Sequence, residues 1–132
     1  MKKLFLLFAA SALSACVDPN DTLVNTRPDQ ANASDQRYIQ NRIVSSMKDP
    51  GAAQLRAVRS FDLSNGQGRA ICGEVNGKNS FGAYVGFQPF YLRVKDGAVV
   101  SEWVGSPASQ FLGQMAVEAC SQAASGQMTV KG

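Results

Sequence analysis

Behind Met1-Lys2-Lys3 runs an apolar stretch of about ten residues, Leu4 to Leu13, and it does most to bound what the rest of the chain can fold into. A spanning helix needs roughly twenty such residues. A positive start followed by a shorter greasy run reads as a cleaved export signal. Whatever folds is then the remainder of a 132-residue chain, outside the reducing cytoplasm. An ordinary signal peptidase has a site after Ala12, where Ala10-Ser11-Ala12 fits the small-x-small pattern, and cleavage there leaves Cys16 as an odd thiol near the new terminus.

A second processing site follows directly. Leu13-Ser14-Ala15-Cys16 resembles the lipobox of a bacterial lipoprotein. The resemblance implies that residues 1–15 are the signal peptide, that Cys16 becomes the acylated first residue, palmitate included, and that the protein is tethered to a membrane without spanning it. Two or more acyl chains suffice for stable anchoring, since each buried methylene contributes about 0.8 kcal/mol. In that class an aspartate after the cysteine favours the inner membrane. Here the residue is Val17, with Asp18 one place later, so the resemblance points to the periplasmic face of the outer membrane ahead of that of the inner membrane.

With Cys16 acylated, Cys72 and Cys120 are the two cysteines left, in an oxidising compartment where disulfides persist. Either they bond, or they pack as buried free thiols. A disulfide matters in a domain this small, because closing such a loop stabilises by about 4 kcal/mol in the chain-entropy model.

Composition then bounds the mature chain. Residues 16–33 are rich in Asp, Asn, Thr, Pro and Gln with little apolar periodicity, and read as a flexible tether. Residues 34–124 fit one small domain, and 125–132 a short C-terminal tail. Losing Lys2 and Lys3 leaves 11 basic residues against 10 acidic ones, a net charge of about +1. No clustered basic face is evident, Arg56, Arg59 and Arg69 being the nearest approach, so no nucleic-acid partner is expected.

Periodicity orders the domain. Ser34 reads as an N-cap, with Tyr38, Ile39, Ile43 and Met47 marking one face of a helix of about fourteen residues that stops at Asp49-Pro50. Gln54 to Leu63 and Arg69 to Asn76 flank an Asn65-Gly66 turn, while Tyr84 to Lys95 and Ala98 to Val104 flank Asp96-Gly97, which predicts two hairpins. Ser106-Pro107 opens a second helix with Phe111, Leu112, Met115, Ala116, Ala119 and Cys120 on its apolar face. The expected class is α+β, in the order α-β-β-β-β-α: an antiparallel sheet of about four strands with helices on one face.

The least ordinary stretch lies between the second and third strands. Lys48-Asp49-Pro50, together with Cys72-Gly-Glu-Val-Asn-Gly-Lys-Asn-Ser-Phe-Gly-Ala-Tyr84, resembles an uncharacterised family of small bacterial proteins that share a Cys-Gly-x-Val-Asn-x-Lys-Asn-Ser-Phe-Gly-x-Tyr motif. The resemblance implies a shared fold and no catalytic role. Five of the nine mature aromatics fall between Phe81 and Tyr91. Lys78, Asn79, Ser80, Phe81 and Tyr84 form a candidate binding loop; the alternative is that these aromatics fill the core.

Several chemistries are excluded. With no histidine, the chain has no Ser-His-Asp or Cys-His nucleophile and no histidine-ligated zinc. Gly77-Lys78 is followed by Asn79, and Cys72 stands where a P-loop needs its first glycine. The acids define no hydrolytic pair, Glu74 being a strand residue that is either solvated or partnered. No enzyme, cofactor or metal is expected. The expectation is a non-enzymatic envelope module for binding or assembly with an envelope protein partner, accessory to an envelope or secretion complex. The alternative is a periplasmic inhibitor or ligand binder that sequesters a hydrolase or cell-wall fragment.

Overall fold

The computed structural model describes residues 18–132. Cys16 and the lipobox lie outside them. In chain order the elements are β1 (Asp21–Asp29), α1 (Ala33–Arg42), two short 3-10 turns (Val44–Ser46 and Pro50–Ala52), β2 (Gln54–Leu63), β3 (Gly68–Asn76), β4 (Gln88–Lys95), β5 (Ala98–Val104), α2 (Gln110–Ser125) and β6 (Gln127–Lys131).

The class is α+β and the sheet is antiparallel, but it has six strands in the order β5-β4-β3-β2-β1-β6, not four. The two hairpins form as the turn residues require: Asn65, Gly66, Asp96 and Gly97 all adopt positive φ, the conformation of a two-residue turn matched to strand twist. The other two strands come from segments read as tether and tail. Within residues 16–33, β1 buries only Val24, so it carries too little apolar pattern to announce itself. Its first half pairs with β6 and its second half with β2. Pro28 sits in the second half, where β6 does not reach, so its missing N–H leaves no ladder bond unmade. In the C-terminal residues 125–132, β6 alternates exposed and buried with Met128 and Val130 inward, a period of two compressed into five residues.

The helices lie on opposite faces of the sheet, which corrects the one-face expectation. Alternation along β3 and β4 decides it. Ala70, Cys72 and Tyr91 join the core that includes Ala116, Ala119, Cys120 and Ala123 of α2. Ile71, Val75, Phe90 and Leu92 join the core that includes Ile39 and Ile43 of α1. Strand side chains point alternately to the two faces, so each helix covers its own.

Helix α1 is capped two residues before the expected Ser34 and is shorter than expected. Asn32 is the N-cap, its Oδ1 accepting from the Ser34 and Asp35 amides while Asp35 Oδ2 accepts from the Asn32 amide, a capping box. Tyr38, Ile39, Ile43 and Met47 all face the sheet, but the helix ends at Arg42 and the last two reach it from the following turn.

Helix α2 begins at Gln110 rather than beside Pro107. Its buried face is Gly113, Ala116, Ala119, Cys120 and Ala123, all small, which lets the helix lie close to the sheet. A Cβ on Gly105 would stand 2.9 Å from the Gly113 Cα, closer than atoms pack. Phe111 and Leu112, expected on the buried face, are exposed. Cys72 and Cys120 are disulfide-bonded with Cα atoms 5.9 Å apart, fixing α2 to β3.

A charged hub secures the α1 face. Arg69 donates to Asp35, Asp29 and Asp62 and to the Gln30 carbonyl, joining β1, α1, β2 and β3. Burial raises the Asp35 carboxyl, but Arg69, the Asn32 amide and the Ser60 hydroxyl outweigh it and hold the group below the usual carboxylate range. The Asp35, Asp29 and Asp62 carboxylates in turn raise Arg69, against a lowering by burial. Arg69 therefore faces away from Arg56 and Arg59, and the three make no common basic face.

Candidate functional site

The stretch between β3 and β4 is a small, internally bonded loop spanning residues 77–87. At its base Gly77 lies against Met47, where a Cβ would come within 3.1 Å of the sulfur. Lys78 and Tyr84 form an isolated antiparallel bridge, and the Val85 amide donates to the Gly77 carbonyl at 3.1 Å. Two asparagines organise the rest. Asn79 Oδ1 accepts from the Phe81 and Ala83 amides at 2.9 and 3.1 Å, the self-bonding that suits asparagine to tight turns. Asn76 is buried; its Oδ1 accepts from the Gly86 amide at 3.0 Å and its Nδ2 donates to Gln54.

Side chains then dock the loop on the segment around Lys48-Asp49-Pro50. Lys48 Nζ donates to Ser80 Oγ, and Tyr84 Oη donates to the Ala52 carbonyl at 2.9 Å. Lys78 Nζ lies 5.3 Å from the Tyr84 ring centroid. The two sequence motifs, some thirty residues apart, thus meet at one end of the sheet. Glu74 is a partnered carboxylate. Arg56 Nε donates to it at 2.8 Å while the guanidinium stacks 3.8 Å from the Phe87 centroid, bracing the loop's return arm.

The clustered aromatics divide between the two expected roles. Phe90 and Tyr91 are buried in opposite faces of the core, Phe87 is half-buried under Arg56, and Tyr84 is exposed. Phe81 at the loop tip is 96% exposed. Beside it a groove of about 390 Å³ is lined by Met47, Lys48, Val75, Phe81, Val85 and Pro107, among others.

All five candidate loop residues, Lys78, Asn79, Ser80, Phe81 and Tyr84, are brought together, but they do different jobs. Asn79, Ser80 and Tyr84 hold the loop's shape, while Phe81 is free to contact something else. Met47 and Asn76, outside the five candidates, set the base; their signal was the apolar spacing of Met47 and the first asparagine of the motif. Cys72 and Cys120 lie in the disulfide, outside this loop.

Among the described residues no group of three or more Cys, Asp or Glu side chains is placed to hold a metal ion. The arrangement offers an apolar anchor on a rigid mount, and residues 77–87 carry no carboxylate side chain. Comparison with protein families, curated proteins and solved structures finds no match to this chain.

Proposed function

We propose that the chain is a non-enzymatic binding or assembly module, acylated at Cys16 and held on the periplasmic face of the outer membrane, whose 77–87 loop engages an envelope protein. The observation that carries this reading is Phe81, almost wholly exposed on a loop that its own hydrogen bonds have already ordered. Aromatic anchors dominate interface energetics. A preorganised loop loses little conformational freedom on binding. No helix among the described residues is long and apolar enough to cross a membrane, so the reading relies on the acyl group for attachment.

Affinity capture from detergent-solubilised envelopes tests the loop. A stoichiometric partner recovered by the wild type and lost with Phe81→Ala, at unchanged melting temperature, is the expected result. Recovery of the same partner by both proteins would remove the loop from the interface. Labelling cells with a fatty-acid analogue tests the anchor: incorporation should vanish in Cys16→Ser, and labelling of both or neither would refute acylation there.

A further inference from the structure

A second concavity lies far along the sheet from the loop's groove, under α2 at the corner where β6 approaches β4. Its floor is Tyr91 and Arg93 of β4 with Ser101 and Trp103 of β5, its roof is α2, and its far wall is β6 with Asp21 of β1. The volume is about 360 Å³, within the range of small-molecule sites.

One buried polar atom there lacks a hydrogen bond, and two neighbouring groups have donors to spare. Arg93 is 3% exposed, and its guanidinium donates to the Gln67 carbonyl and Oε1 and to the Lys131 carbonyl at 2.6 Å, but among the described residues it has no carboxylate within ion-pair distance. A buried cation without an anion is costly, and such groups call for an explanation. Asp21 Oδ1 is buried and accepts no hydrogen bond; Lys131 Nζ stands 3.8 Å off and bonds Asp18 instead. Asp21 is the register partner of Lys131, whose carbonyl Arg93 holds, and Asp21 and Arg93 both line the cleft. The Tyr91 hydroxyl has no hydrogen-bond partner among the described residues. Burial pushes it up to about 12, against a lowering by Arg93, so at neutral pH it keeps its proton and is a donor. Tyr91 also stacks on Trp103, centroids 5.1 Å apart, which supplies an aromatic wall.

We infer that this cleft binds a free α-amino acid with a large apolar side chain: its carboxylate on Arg93 and the Tyr91 hydroxyl, its ammonium on Asp21 Oδ1, its side chain against Trp103 and Met115. A single ligand of this kind completes all three groups, since it carries an acceptor anion, a donor cation and an apolar body. Acetate-like anions would leave Asp21 unsatisfied, and simple amines would leave Arg93 so. The site is independent of the 77–87 loop.

Trp103 is the sole tryptophan and reports the cleft directly. The full chain in non-ionic detergent is titrated with L- and D-phenylalanine, 3-phenylpropanoate (no ammonium) and phenethylamine (no carboxylate), followed by Trp103 emission and calorimetry. Saturable binding of one phenylalanine enantiomer or both is expected, with each truncated compound at least about tenfold weaker. Asp21→Asn should weaken phenylalanine about tenfold and leave 3-phenylpropanoate unchanged, and Arg93→Gln should weaken both. No saturable binding up to about 10 mM, or equal affinity for phenylalanine and both truncated compounds, overturns the inference. If Arg93→Gln does not fold, Asp21→Asn and the analogue series still decide.

Discussion

Two arginines, Arg93 buried and Arg69 largely covered, sit one pair apart on neighbouring strands, and they are treated in opposite ways. Arg69 on β3 faces α1 and is met by three carboxylates. Arg93 on β4, paired with Ala70 beside it, faces α2 and is met by carbonyl-type oxygens alone. One arrangement neutralises its charge and ties four elements together. The other stands in a cleft, bonded to neutral oxygens, with the Asp21 and Glu118 carboxylates lining the same cleft beyond ion-pair distance. Burial of a guanidinium is therefore no sign of role by itself; what distinguishes a structural arginine from one that awaits a ligand is whether the fold supplies the anion.

The largest effect expected from breaking the comparison is at the hub. Arg69→Met strands the buried Asp35 carboxylate without its cation and should cost about 3–5 kcal/mol, a fall of roughly 10–20 °C in melting temperature. Removing the cross-link with Cys72→Ala and Cys120→Ala should cost about 4 kcal/mol in the chain-entropy model. Because that bond fixes α2 over β3, it should loosen the Arg93 cleft selectively: Trp103 emission shifts to the red while hydrogen exchange around Asp35 stays protected. Equal deprotection of both faces would show that they are one cooperative unit.

Arg93→Met should cost only about 1–2 kcal/mol, since the lost hydrogen bonds are offset by removing a charge that had no anion. A cost matching that of Arg69→Met in chemical denaturation would erase the distinction. Acid separates the two arginines further. Asp35 has its carboxyl depressed in the fold, so its stabilisation is present above its ordinary value of 3.8 and is lost as pH falls through the lower folded value. The stability gap between wild type and Asp35→Asn should therefore shrink below about pH 3.8, whereas the gap for Arg93→Met stays level across that window. The smallest effect belongs to Phe81→Ala, within about 0.5 kcal/mol, because its ring touches little of its own protein.

Much of this was legible beforehand. Asn65-Gly66 and Asp96-Gly97 demand positive φ, so both central hairpins follow from local chemistry, and Tyr38, Ile39, Ile43 and Met47 mark the face that α1 and the turn after it present to the sheet. The candidate loop was legible as a polar, glycine-bearing insertion rich in aromatics. Its division of labour was not, because Phe81 and Phe90 are the same residue type and only the surroundings place one in solvent and the other in the core. The edge strands were missed for a related reason. β1 and β6 are held by hydrogen bonds between main chains that any residue can make, with Val24, Met128 and Val130 as their buried apolar side chains.

The sequence by itself determined the hairpins, the helical faces, the absence of histidine chemistry and the candidates for a cross-link, because turn conformation, apolar spacing and side-chain inventory are local properties. Tertiary structure alone decided which face each helix covers, that residues 21–29 and 127–131 are strands, and that Arg69 meets three carboxylates while Arg93 meets none among the described residues. Those outcomes depend on which distant groups arrive at the same point, and the pattern of a single segment carries no record of its eventual neighbours.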